Sequence, residues 1–176
     1  MTDFVSGADF EELFRTFQHT AFRLETQGTY GEPVEDEPLR RFLAGEPPDD
    51  SWLTPWIDNV RDATAKGREF RRVRVLSTPL TDYLRFEMDL ALRANIPAGE
   101  DIRSLTVSEA EALGVPIGVD FWMFDDTRVG VMRFGGRGML GLEMITDAEQ
   151  VEQFRLIRDR AWGAASRVEQ WAALLQ

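Results

Sequence analysis

The chain has no cysteine, one histidine (His19) and one lysine (Lys66) among its 176 residues. Without cysteine, neither a disulfide nor a thiolate metal site can form. A single imidazole excludes a poly-histidine metal centre and leaves a Ser-His-Asp triad without a spare ring. Nineteen of the twenty basic residues are arginine, a bias that GC-rich codon usage produces with no demand from function. Long hydrophobic runs are missing too: the uncharged apolar stretches fall short of the ~20 residues that cross a bilayer. The opening MTDFVSGADFEELF is acidic and lacks the basic-then-apolar layout of a secretory leader, so a cytoplasmic protein is expected.

Positive charge is scarce. The formal net charge is −11, and residues 1–50 alone hold 12 acids against 4 bases. Direct nucleic-acid binding needs a basic surface to neutralise phosphates and is therefore not expected. An acidic balance suits a basic protein partner, and it also serves solubility alone.

What is present is enough for a core. With 43% hydrophobic and 11% aromatic residues the chain should fold, and its length suits one domain. Residues 1–50 read as an acidic helix, a strand and a long connection; residues 51–176 read as the main α/β core. Ser6 to Asp9 predicts a cap for a helix striped by Phe10, Leu13, Phe14 and Phe17. Residues 20–26 alternate, with Phe22 and Leu24 on one face and Arg23 and Glu25 on the other, which predicts a strand. Gly28 to Asp50 is rich in Gly, Pro and acid around a short helix at Leu39, Phe42 and Leu43, and is expected to be mobile. Ser51 caps a helix carrying Trp52, Trp56, Ile57 and Val60.

From residue 70 the expected order is β-α-β-α-β-β-β-α, giving a mixed sheet flanked by helices. Phe70–Ser77 is a strand. Thr78 and Pro79 open a helix running to about Asn95. Residues 101–105 form a strand, and Ser108 with Glu111 offers a capping box. Phe121–Phe124 is apolar on both faces, as in an inner strand. Thr146 and Glu149 start a long C-terminal helix whose Phe154, Ile157, Ala161, Ala164, Val168, Trp171 and Leu175 keep a 3-4 spacing. That stripe packs inside the domain or serves as a homodimer seam.

Catalytic signatures are weak. Gly135 to Gly138 lies between two strands, so it reads as a hairpin turn and not as a phosphate cradle. Asp125-Asp126 reads as a solvated turn, since a hard cation needs several converging oxygens. Ser77, Thr78 and Ser104 have no identifiable base, and His19 beside an apolar stripe reads as a packed or surface histidine. Arg72 and Arg74 share a strand face with Phe70 and Leu76. Such arginines find carboxylates, with Glu87, Asp89 or Asp120 able to serve, or they form a pocket for an anionic ligand. The candidate ligand-binding residues are Arg72, Arg74, Tyr83, Glu87 and Asp120. No catalytic residue, metal or cofactor is expected.

Ala21-Phe-Arg-Leu-Glu25 with Tyr30, Arg72-Val-Arg-Val-Leu76 with Pro79, Asp82-Tyr-Leu-Arg-Phe-Glu87, Gly99-Glu-Asp-Ile-Arg103 and Asp120-Phe-Trp-Met-Phe-Asp-Asp126 follow one another in order. In these the chain resembles an actinobacterial family of unknown function, common in Streptomyces and encoded beside helix-turn-helix transcriptional regulators and small acidic companion proteins. The resemblance implies a regulatory role with such a regulator or companion as partner, and supplies no reaction. A weaker likeness is to the phospholipase D-like fold with its His-x-Lys-x4-Asp motif. If Asp125 is the motif aspartate, the lysine position is Asp120 and the histidine position Gly118, so that covalent chemistry is lost. Two functions stand: a non-enzymatic regulatory protein that meets another protein, and a sensor of an anionic small molecule or an unrecognised enzyme with its pocket near Arg72 and Arg74.

Overall fold

A computed structural model describes residues 3–174. Its strands are β1 (Asp3–Val5), β2 (Thr20–Glu25), β3 (Glu69–Leu76), β4 (Glu100–Thr106), β5 (Phe121–Phe124), β6 (Arg128–Phe134), β7 (Met139–Ile145) and β8 (Ser166–Arg167). They form one sheet in the order β1-β7-β6-β5-β2-β3-β4-β8. The β2–β3 and β3–β4 pairs are parallel and the other pairs antiparallel, so the expected mixed sheet is what forms. Its helices are α1 (Gly7–Thr16), α2 (Asp36–Leu43), α3 (Thr54–Ala65), α4 (Asp82–Leu90), α5 (Ile96–Ala98), α6 (Val107–Ala112) and α7 (Ala148–Ala164). None of the described helices is long and apolar enough to cross a membrane.

Strand alternation sorts the core into two faces. Phe22, Leu24, Val73, Val75, Phe121 and Met123 turn to one face, where Ala110 of α6 and Val151 and Ala161 of α7 cover them. Phe70, Trp122 and Phe124 turn to the other, beneath Phe14 of α1 and Val60 and Ala63 of α3. Farther along that second face, Leu76 and Ile102 lie under Leu84 and Met88 of α4. The result is helices on both sides of one sheet, with β5 buried at every residue as an inner strand must be.

Helix starts differ from the sequence reading by a few residues. Thr81, not Thr78, caps α4: its Oγ1 accepts the Leu84 N–H at 3.0 Å and donates to the Gly28 carbonyl at 2.7 Å. The helix then widens into a π turn over Ala91–Asn95, where Pro97 has no N–H to return to the Arg93 carbonyl. Thr106 and Glu109 make the capping box of α6 in place of Ser108 and Glu111. Asp147, one residue after Thr146, caps α7 by accepting the Gln150 N–H.

The C-terminal stripe does not stay on one helix. α7 ends at Ala164, Ala165 is extended, and β8 adds to β4 through Ser104↔Ser166 and Arg103↔Arg167. Val168 then buries fully beside Leu76, Leu84 and Met88. Strand pairing plus that burial outweighs continuing the helix, so the single anticipated seam breaks at Ala165. Phe154 and Ile157 pack on the first core face, and Leu175 lies outside the described residues.

Asp125 and Asp126 are also more than solvated turn residues. Both occupy the left-handed region, φ 52° and 57°, as a tight hairpin requires. The Asp125 carboxylate accepts the Gln18, His19 and Thr20 N–H groups at 2.8, 2.7 and 3.2 Å. Burial raises this carboxyl, but those three donors outweigh it and leave the carboxyl below its ordinary range. Asp126 pairs with Arg158 of α7.

Gly141 marks a close approach at the sheet edge. A Cβ there would lie 2.5 Å from the Val5 carbonyl oxygen and 2.7 Å from Phe4 Cζ. Gly141→Ala should push β1 off β7 and cost about 1–3 kcal/mol. A thermal midpoint lowered by about 2–12 °C checks this, and an unchanged midpoint refutes it.

Candidate functional site

Between the two clusters on the second sheet face, the helices leave a cavity of about 570 Å³. That is the size of a small-molecule site. Its floor follows from strand register. β2 sets Arg23 beside Arg72 of β3 and Trp122 of β5, and Glu25 beside Arg74. Two arginines side by side repel, and Glu25 resolves the conflict. Its carboxylate accepts Arg72 Nη1 at 2.9 Å and Arg74 Nε at 2.7 Å, and pairs with Arg23 Nη1 at 2.9 Å.

The network extends sideways. Arg74 Nη2 donates to Glu87 Oε2 of α4 at 2.6 Å. Arg72 Nε donates to Glu100 Oε2 at 3.1 Å, and Glu100 also accepts the Asn95 amide and the Trp56 indole N–H. Three guanidiniums thus meet three carboxylates, all with little solvent contact. Burial alone would push the Glu25 carboxyl up; Arg23, Arg74 and Arg72 outweigh it and hold it far below the carboxylate range. Burial likewise opposes the charge on Arg74, and Glu25 and Glu87 more than restore it.

Aromatic rings wall the cavity. Phe14 packs edge-on against Trp56 and Trp122 with centroids 5.4 and 4.8 Å apart. The Arg23 guanidinium lies 5.5 Å from the Trp122 ring centroid and 5.6 Å from that of Tyr30. Tyr83 of α4 donates to Glu35 Oε2 at 2.7 Å. Burial, then Glu87, then Glu35 push the Tyr83 hydroxyl above its ordinary value; burial leads in the same way at Tyr30. Both phenols are therefore donors and not bases at neutral pH. The connection from residue 28 to 50, expected to be mobile, is fastened here through Tyr30 and Glu35 and through Glu32, which accepts the Met139 N–H at 2.7 Å.

Glu35 is the unusual group. Burial first, then Glu87, raises its carboxyl to about 8, against lowering contributions from Tyr83 and Arg23. Among the described residues three side-chain atoms of the lining are buried without a hydrogen-bond partner: Arg23 Nε, Trp52 Nε1 and Glu87 Oε1. Groups so placed are what a ligand completes.

Of the five residues singled out from sequence, Arg72, Tyr83 and Glu87 line the cavity. Arg74 lies behind Glu25 and Glu87 in the same network. Asp120 holds the neighbouring loop instead: its carboxylate accepts the Thr26 N–H at 3.0 Å and the Tyr30 hydroxyl. Asp89 pairs with Arg93 and not with the strand arginines. Sequence reasoning passed over Arg23, Glu25, Glu35, Glu100, Trp52, Trp56 and Trp122 as site residues. The signal for the first two was visible, since β2 carries charges opposite Phe22 and Leu24 in a strand that buries both faces. No group of three or more potential ligand residues is arranged to hold a metal among the described residues.

Fold and site together define an α/β domain with an aromatic, ligand-sized cavity seated on an ion-paired sheet face. The chain belongs to the family described as Domain of unknown function (DUF6879), whose model matches residues 8–173. No curated protein matches it. Among solved structures it is similar to TrmBL2, an archaeal chromatin protein described as showing a novel mode of DNA binding, at 13% identity and a TM-score of 0.48. That likeness covers 94% of this chain and 53% of TrmBL2, so the chain spans about half the length of that protein.

Proposed function

We propose that this protein is a non-enzymatic, cytoplasmic regulatory domain that binds a small molecule in the cavity and passes its state to a protein partner. The observation that carries the ligand half is the cavity itself: about 570 Å³, walled by aromatic rings, with buried polar atoms left open in its lining. The non-enzymatic half rests on the lining chemistry. Its hydroxyls are phenols held protonated, and its arginines are committed to carboxylates. The fold ancestry suggested by the phospholipase D-like resemblance agrees, since Gly118 and Asp120 stand where that chemistry needs histidine and lysine, and Asp120 is occupied by Thr26 and Tyr30.

The partner half rests on the net charge of −11 and on the resemblance to proteins encoded beside helix-turn-helix regulators. Such a regulator is the partner of this reading, with the small acidic companion the other candidate. A thermal-shift screen of a metabolite library checks the first half. A ligand at a hundredfold excess over its Kd should raise the midpoint by about 5–10 °C. Co-purification from the native host, with and without that ligand, checks the second. A library without one stabilising compound, or repeated pulldowns without a protein partner, refutes the corresponding half.

A further inference from the structure

The charges around the cavity do not sum to an anion site. The three floor arginines are matched by Glu25, Glu87 and Glu100, so an anion would have to displace a carboxylate from each. At the rim, Arg15 pairs with Glu11 and Glu12 across helical spacings. That leaves Glu35, which receives the Tyr83 hydroxyl and has no cation within ion-pair reach among the described residues. It also leaves Glu87 Oε1, on a residue only 8% exposed, with no hydrogen-bond donor. One acid without a cation and the open oxygen of a second, ion-paired acid face a space walled by Trp52, Trp56 and Trp122, and indole faces attract cations.

We propose that the cavity takes an organic cation carried on a planar apolar group, an arylalkylamine or aryl amidine in chemical class. Its charge sits at Glu87 and Glu35, and its ring lies among Trp52, Trp56 and Trp122. This rests on the ligand-binding reading above and names the ligand's class. A cation placed there gives Glu87 Oε1 its missing donor and offsets the repulsion between buried Glu87 and half-buried Glu35. A neutral isostere supplies the ring alone, and an anion sets a further negative charge beside Glu87.

The pH dependence has a definite direction. Glu35 faces Glu87 and Tyr83 of α4, and Arg23 and Glu25 of β2. With its carboxyl raised to about 8, it is protonated at neutral pH and gains its charge above that point. Cation affinity should therefore rise as pH passes through that range, and binding below it should release a proton.

The test is isothermal titration calorimetry on the full chain with two matched probe series, tryptophan fluorescence being read in parallel. One series is benzamidine, benzamide and benzoate; the other is 2-phenylethylamine, 2-phenylethanol and 3-phenylpropanoate. The cation of each series should bind at least about tenfold tighter than its neutral counterpart, with the anion weakest. Affinity for benzamidine should increase several-fold from about pH 6 to about pH 9, and Glu35→Gln should remove that increase. Glu87→Gln, which keeps an acceptor for Arg74, should weaken benzamidine about tenfold with circular dichroism unchanged. If benzoate or 3-phenylpropanoate binds as tightly as its cationic counterpart and shifts the indole fluorescence, the cation assignment falls while the ligand-cavity reading survives. If no probe binds and fluorescence stays flat, the ligand-cavity reading falls as well.

Discussion

Glu25→Ala is expected to lower folding stability by about 3–5 kcal/mol, the cost of breaking a buried ion pair from one side. One carboxylate here serves Arg23, Arg72 and Arg74, so its removal leaves two adjacent cations, Arg23 and Arg72, facing each other across β2 and β3. Glu100 and Glu87 retain one hold each on Arg72 and Arg74, and Arg23 retains only the Tyr30 and Trp122 ring faces. Against a typical total of about 5–15 kcal/mol this is a large share of the stability, and a chain at the low end of that range would unfold in part. Glu25→Gln keeps the acceptor oxygen and the volume, and should lose roughly half as much. Urea denaturation of both variants decides it: a loss under about 1 kcal/mol for alanine would show that the arginines find other partners.

The same residue gives an acid limb. The folded-state carboxyl of Glu25 lies below its unfolded value, so its stabilising contribution is present above the ordinary carboxylate range and is lost as pH falls beneath it.

Glu35 should behave in the opposite sense. Its folded-state value of about 8 lies above the unfolded one, so between those values the folded chain holds a proton that the unfolded chain has released. Stability then falls as pH rises through that window and levels off above about 8, by about 2–4 kcal/mol in all. Glu35→Gln keeps an acceptor for the Tyr83 hydroxyl and has no proton to lose. The variant should gain on the parent from about pH 5 to about pH 8 in guanidinium titrations, and hold that gain above it. Parallel stability curves for the two proteins would refute a protonated Glu35 in the folded chain.

The sheet was readable because its strands carry period-two patterns in continuous stretches. β2, β3 and β5 each announce which face is which, and the Arg72/Arg74 face was placed correctly opposite Val73 and Val75. Helix ends were less readable, because several hydroxyl or acid residues stand near each start. Thr78 and Thr81 both suit a cap, and only the bond from Thr81 to Gly28, 53 positions away, separates them. The stop at Ala165 has no local mark beyond Gly163, since the apolar spacing continues across it and the reason lies in β4. β1 is three residues long, too short for any pattern.

The site was half visible for a similar reason. Arg72, Tyr83 and Glu87 lie on one strand and the next helix, so a strand-helix reading brings them together. Glu25, Glu35 and Glu100 come from three other elements, and parallel register alone sets Glu25 beside Arg74 and Glu100 beside Phe70. The balance of three arginines by three acids is a tertiary fact, and it turns an apparent anion pocket into a neutral floor.

Both borders of the sheet are finished by short segments remote in sequence from the strands they cover: Asp3–Val5 against β7, and Ser166–Arg167 against β4. During synthesis β4 waits some sixty residues for its cover, and β1 emerges long before the strand it will join. Until then an open ladder is available to any neighbouring nascent chain. The crowding of acids into residues 1–50 acquires a second use in that interval, keeping unfinished copies apart by mutual repulsion while their ladders remain open.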